Sequence, residues 1–168
     1  MRWQTRGGII SEVDLEKLAK AFCLVLEQAE HYDIDIVLSQ MAWNYMNTMT
    51  NFKVLAERLG SQRIKVRWGP ADNLNCGEWD VSTVGFRNVL PYLHSLHIKD
   101  LHITDGIRCK FDYRAIGEGD VDYLTILRNL RNERCDAVLA VATHFLPPGG
   151  SAEDSMRINV SSLKSLIE

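Results

Sequence analysis

The sequence lacks several features that would point to particular classes of protein. Lys and Arg form no cluster and the formal net charge is −3, so there is no basic surface of the kind that binds a phosphate backbone. No apolar run approaches the length needed to cross a bilayer, and residues 1–10 contain no apolar segment typical of a signal peptide. We therefore expect a cytoplasmic protein that binds neither nucleic acid nor a membrane.

Cysteine pairs and glycine-rich nucleotide loops are missing as well. The four cysteines are scattered without a C-x-x-C pair, which favours reduced thiols over a disulfide framework or a zinc site. No G-x-G-x-x-G follows a β-rich segment, which argues against dinucleotide binding. The chain does contain 46% hydrophobic residues, enough for a single domain over residues 1–168 with a substantial core.

Short β-rich segments alternate with longer amphipathic ones along the whole chain. Strands are predicted at 34–40, 64–68, 96–101 and 137–141, with a weaker signal at 2–4. A helix is predicted over 83–92, and a loop runs through 105–106. The predicted helix boundaries are the N-caps Ser11 (with Asp14), Thr50, Asp120 and Ser151, and the C-terminal stop Gly60. This alternation predicts an α/β fold of about five parallel strands joined by helices.

Four segments carry a more specific pattern than the alternation does. In chain order they read G-P-A-D then G-E (69–72, 77–78), H-I-K-D (97–100), G-E-G-D-V-D-Y (117–123) and T-H-F then G-G-S-A-E (143–145, 149–153). Their order and spacing resemble segments of the xylose isomerase-like group, the sugar phosphate isomerases and epimerases. The resemblance implies a partial (β/α)8 TIM-barrel-like fold, with its site at the C-terminal ends of the strands.

The same resemblance implies that the counterpart of the first three βα units is lacking. Five strands cannot close such a barrel, so two strand edges would stay open. A second copy in a homo-oligomer or a partner chain could cover them. Otherwise the sheet flattens into a self-contained form, or the sequence is a truncated gene product.

In this group the resemblance implies a divalent cation, such as Mn or Mg, held by a Glu, an Asp, a His and a second Glu. The two glutamates would also move a proton between adjacent carbons of a sugar. The corresponding positions here are Ser39, Gly69, His97 and Ala142. Because Ser, Gly and Ala bring no charge to such a cation, we expect no metal cofactor and a degenerate site without proton transfer.

Several other residues near the expected strand ends are candidates for a ligand site. The candidate contacts to a small sugar or sugar phosphate are Lys99, Asp100, His144 and Trp68, and the weaker candidate metal ligands are His97 and Asp72. Each also has a structural interpretation, such as an ion pair at a strand end for Lys99 and Asp100. The rings of Trp43, Trp68 and Trp79 could stack on a sugar or simply cover the barrel mouth.

Three other functions stay open at this point. One is an active isomerase or epimerase with a metal site rearranged around Asp72, His97 and His144. Another is an assembly subunit that completes a barrel with a second chain. The least favoured is a relative of the DNA-repair endonucleases that share the fold, since they need many metal ligands and a basic groove.

Overall fold

A computed structural model of the protein describes residues 8–41, 44–108 and 110–168. The weakly predicted strand at 2–4, Trp43 and Cys109 lie outside these residues. In chain order the helices and strands are α1 (Glu12–His31), β1 (Ile36–Ser39), α2 (Met49–Leu59), β2 (Ile64–Trp68), α3 (Pro70–Asn75), α4 (Phe86–Val89), β3 (Leu93–Ile98), β4 (Asp100–Asp105), β5 (Lys110–Arg114), α5 (Tyr123–Asn132), β6 (Val138–Val141) and α6 (Ala152–Ile167). A π-helical turn, Val81–Gly85, precedes α4, and a 3-10 turn, Leu90–Tyr92, follows it.

Four strands form one parallel sheet in the order β1-β2-β3-β6. They are the four main strands that the sequence predicts, although β3 begins at Leu93 and ends at Ile98 instead of spanning 96–101. Alternate side chains of β2 enter the core, and Ile64, Val66 and Trp68 are at most 1% exposed. The prediction of an α/β fold with parallel strands and intervening helices is confirmed.

Local capping chemistry sets the ends of three helices where the sequence predicts them. The Ser11 hydroxyl accepts a hydrogen bond from the Asp14 N–H at the start of α1. Ser151 and Asp154 form a reciprocal capping box at the start of α6. Gly60 ends α2 with a φ of +63°, a left-handed conformation that glycine adopts without a steric penalty.

Two predicted N-caps, Thr50 and Asp120, are wrong because both residues form hydrogen bonds elsewhere. Thr48, not Thr50, caps α2, while the N–H and hydroxyl of Thr50 both donate to the Glu78 carboxylate. Asp122, not Asp120, caps α5. Asp120 instead accepts a hydrogen bond from the Ile103 N–H in the preceding hairpin.

That hairpin was not predicted. The segment after β3 forms two antiparallel strands, β4 and β5, which pair with each other and not with the parallel sheet. Asp105-Gly106 stands at the turn, and the Asp105 carboxylate accepts the N–H groups of Ile107 and Arg108. The hairpin lies between β3 and α5 in the chain, and it carries side chains to the C-terminal end of the sheet.

Candidate functional site

The C-terminal ends of the four parallel strands lie side by side, as a TIM-barrel site requires. Ser39 ends β1 and pairs in register with Arg67 of β2. Ala142 follows β6, and its N–H donates to the Ile98 carbonyl of β3 at 2.9 Å. The strand-end positions named from the sequence are therefore brought together at the C-terminal end of the sheet.

Gly69 leaves space that a neighbouring carboxylate fills. Its φ is −114°, so the backbone does not require glycine at this position. A Cβ atom at Gly69 would lie only 2.6 Å from Oδ2 of Asp72. Pro70 occupies the first turn of α3, a position that proline favours, and this short helix turns the Asp72 side chain back over the strand end. The Asp72 carboxylate thus occupies the space that a side chain at position 69 would need.

Lys99 forms a buried ion pair with this carboxylate. Its Nζ lies 2.9 Å from Oδ1 of Asp72, and the two side chains are only 8% and 14% exposed. The backbone of Lys99 is fixed by Tyr123, whose hydroxyl donates to the Lys99 carbonyl at 2.6 Å. Burial raises the pKa of the Tyr123 phenol well above its usual value, so the hydroxyl stays protonated as a donor. The ammonium is therefore held at the strand ends from both its backbone and its side chain.

Two histidines and a tyrosine border this ion pair. The ring of His144 stacks on that of Tyr113, with 4.8 Å between centroids, and the Lys99 Nζ lies 6.0 Å from the Tyr113 ring centre. Burial lowers the pKa of His97, and the charges of Lys99 and Arg67 lower it further, against an opposing effect of Asp72. Burial and Lys99 likewise lower the pKa of His144. Both imidazoles are therefore mainly neutral at pH 7.

Arg67 and Ser39 interact directly at the other side of the site. The Arg67 Nη2 donates to the Ser39 hydroxyl at 2.8 Å, across the β1–β2 pair. Ser39 stands where the resemblance implies the first glutamate. A serine can accept this hydrogen bond but contributes no negative charge to the site.

Two of the predicted ligand contacts have structural partners instead. Trp68 is fully buried, and its indole N–H donates to Asn73 at 2.6 Å, so the ring has no exposed face for a sugar. Asp100 is 1% exposed, and its carboxylate accepts four backbone N–H groups. These come from Leu101, Gly117, Gly119 and Val121, at 2.9, 2.9, 3.1 and 3.3 Å. Lys99 and His144, in contrast, do lie at the strand ends.

Sequence reasoning missed three side chains of this site. Tyr113 reaches it through the unpredicted hairpin, and Asp105-Gly106 between alternating segments was the available signal for that hairpin. Arg67 and Tyr123 were assigned to a strand and to the start of a helix without a functional role. No sequence signal distinguishes Tyr123 from an ordinary core aromatic residue.

The arrangement of acidic and histidine side chains at the strand ends bears on whether a divalent cation could bind there. Within residues 8–41, 44–108 and 110–168, no three His, Cys, Asp or Glu side chains are grouped closely enough to hold a metal ion. Asp72, His97 and His144 act on one another electrostatically at the strand ends but do not form such a group. The Asp72 carboxylate is already bound by the Lys99 ammonium, which a cation beside it would repel.

The parallel βα units and the strand-end site define an α/β protein of TIM-barrel type. No helix in the described part of the chain is both long and apolar enough to span a membrane. A family model, xylose isomerase-like TIM barrel, matches residues 4–166. The chain belongs to this family. A comparison with curated protein sequences gives no significant match.

Solved structures with the same fold include metal-bound proteins and a sugar epimerase. A D-psicose 3-epimerase with D-tagatose from Clostridium cellulolyticum H10 has a TM-score of 0.69 and 16% identity over 95% of this chain and 58% of its own. The IOLI protein with a binding zinc atom has a TM-score of 0.74 and 15% identity over 99% of this chain and 60% of its own. A xylose isomerase-like TIM barrel protein from Mycobacterium smegmatis, in complex with magnesium, has a TM-score of 0.62 and 16% identity over 99% of this chain and 56% of its own. The chain thus spans less than two thirds of each of these proteins.

Proposed function

We propose that the chain is a sugar isomerase/epimerase-like protein without metal-dependent proton transfer, and that it binds a small sugar or sugar phosphate through side chains alone. The observation that carries this proposal is the buried ion pair of Lys99 and Asp72 at the strand ends. An ammonium group there neutralises the Asp72 carboxylate, to which a divalent cation could otherwise bind. It also offers N–H donors to a ligand hydroxyl or anionic group.

Proton transfer at a sugar carbon needs a base positioned on the reacting carbon. Ser39 and Ala142, at the positions implied for the two glutamates, have no carboxylate, and Asp72 is engaged by Lys99. What remains suits binding: Lys99 as a charged donor, and His144 stacked on Tyr113 as an aromatic surface for the apolar face of a sugar ring.

The test combines metal analysis with turnover. The protein is purified in the presence of Mn²⁺, its bound metal is measured by mass spectrometry, and conversion of simple ketoses and their phosphates is followed by chromatography. We expect substoichiometric metal and no conversion above the rate without protein. Stoichiometric, tightly bound metal with turnover would overturn the proposal. In that event His97→Ala should abolish metal binding, and the matched change His94→Ala on the same strand should not.

A second proposal concerns the edge of the sheet. In the described part of the chain, β6 pairs only with β3, and Val138 at its start is 60% exposed. Strands buried in a complete barrel are covered on both edges, so β6 offers unpaired backbone groups to another polypeptide. We propose that a second copy covers this edge.

The oligomeric state tests this directly. Size-exclusion chromatography with light scattering should give the mass of a dimer, and Val138→Asp should shift it toward the monomer. Val25→Asp, at a 44% exposed residue of α1, is the control that should leave the mass unchanged. A stable monomer at micromolar concentration would contradict a second copy.

A further inference from the structure

The side chains of the parallel sheet divide into an apolar set and a polar set. Those that face the helices are apolar, such as Val66, Leu96 and Ile98, which are at most 1% exposed. The opposite side, called the inner face below, consists of the alternating residues Val37, Ser39, Lys65, Arg67, Ser95, His97, Val138 and Ala140. Bulky branched residues dominate the interior of a packed TIM barrel, whereas most of this face is polar.

Within the strands, the charged residues of the inner face are both basic, Lys65 and Arg67. Lys99 continues the alternation beyond the C-terminal end of β3, whereas the acidic residues that continue it, Asp35 and Asp136, lie before the N-terminal ends of β1 and β6. The carboxylate that reaches this face is that of Asp72, from α3, and Lys99 already binds it. The inner face therefore carries an excess of positive charge close to the strand ends.

Arg67 lies on this face without a carboxylate in ion-pair contact among the described residues. It is partly buried, and its Nη2 donates to the uncharged Ser39 hydroxyl. Among the described residues, no carboxylate lies within 4.0 Å of its guanidinium. Burying a charge without a partner is unfavourable, and the planar guanidinium matches the oxygen atoms of a carboxylate or phosphate group.

We propose that the inner face at β1 and β2 is an anion subsite, in which Arg67, oriented by Ser39, binds the carboxylate or phosphate group of a ligand. The proposal rests on the proposed function, because it places the charged end of the ligand in the same strand-end site. Lys99 lies on the same face, four residues beyond Ser95, the register partner of Arg67, and would meet hydroxyl groups of the same molecule. The ligand class is thus a polyhydroxy compound with one anionic group.

Calorimetric titration tests the subsite with three probes at low ionic strength: inorganic phosphate, acetate and neutral D-fructose. We expect phosphate or acetate to bind the wild-type protein, and Arg67→Gln to weaken that binding roughly tenfold or more, the effect of losing a charge-assisted hydrogen bond. Arg67→Lys, which keeps the charge but not the planar fork, should recover part of the affinity. Arg157→Gln, at an arginine 75% exposed on α6, should change it by less than about twofold.

Each outcome separates this subsite from the wider proposal. Binding of phosphate alone identifies a phosphate ester as the ligand, and binding of acetate alone identifies a carboxylate. If neither anion binds, or if Arg67→Gln and Arg157→Gln weaken binding equally, the subsite is refuted even where D-fructose still binds. The proposed function fails separately, by stoichiometric metal with turnover. Circular dichroism of each variant identifies loss of fold. If Arg67→Gln does not fold, the anion affinity of Arg67→Lys alone tests the subsite.

Discussion

Breaking the Lys99–Asp72 pair should cost far more stability than breaking an exposed pair. The Lys99 Nζ and the Asp72 carboxylate are 2.9 Å apart, and the two side chains are only 8% and 14% exposed. Water therefore cannot solvate either charge unless the side chain changes its position. Lys99→Met leaves a buried carboxylate uncompensated, which should lower the free energy of unfolding by ~3–5 kcal/mol. Asp72→Asn should also destabilise. The double variant should recover much of the loss, with a coupling of at least ~2 kcal/mol, because it removes both charges together.

Urea unfolding followed by tryptophan fluorescence measures each step of this cycle, since the buried Trp68 reports loss of the core. The matched control is Lys53→Met with Glu57→Gln, an exposed i,i+4 pair at 3.7 Å. Its coupling should be no more than ~0.5 kcal/mol. Additive effects of Lys99→Met and Asp72→Asn, within ~0.5 kcal/mol, would refute the conclusion that the two side chains form one buried unit.

Three further predictions follow from neighbouring contacts. Asp100→Asn should lower the free energy of unfolding, measured in urea, by roughly 3–5 kcal/mol. The reason is that an amide nitrogen would face two backbone N–H groups that now donate to Oδ2. A loss below ~1 kcal/mol would contradict this role of Asp100. Gly69→Asp should destabilise by ~1–3 kcal/mol through overlap with Asp72, and Gly69→Asp with Asp72→Asn should be more stable than Gly69→Asp alone. His97 has a pKa below its usual 6.5, so the unfolded chain binds its proton first and stability should fall as the pH drops below about 6.5. His97→Gln should flatten that pH profile, and His94→Gln should not.

The sequence predicts most of the parallel sheet and several helix ends because those signals are local. The β2 strand is one example, since its apolar residues alternate over five positions and Gly69-Pro70 then interrupts the pattern. Ser151 with Asp154 is another, because a capping box needs only residues three positions apart. Such features depend little on the rest of the chain.

The contacts that define the site depend instead on residues far apart in sequence. The local sequence predicts Thr50 as an N-cap, but its N–H and hydroxyl donate to Glu78, 28 positions later. Asp100 looks like a strand-end ligand until Gly117 and Gly119 fold back onto its carboxylate. Their partners become evident only when the fold brings the loops together.

The charge balance of the strand ends connects the two main proposals. If the family resemblance gives the right positions, three carboxylates and a histidine would form a cage for a cation. With Ser39, Gly69 and Ala142 at those positions, Asp72 compensates Lys99, while Arg67 has no carboxylate within 4.0 Å among the described residues. Lys99 belongs to the H-I-K-D segment that carries the resemblance, so under the proposed function the difference lies in the anions around it. A site whose anionic groups are removed and whose cationic groups remain should exclude divalent cations and attract anions, and the metal analysis and the Arg67 titration measure those two consequences separately.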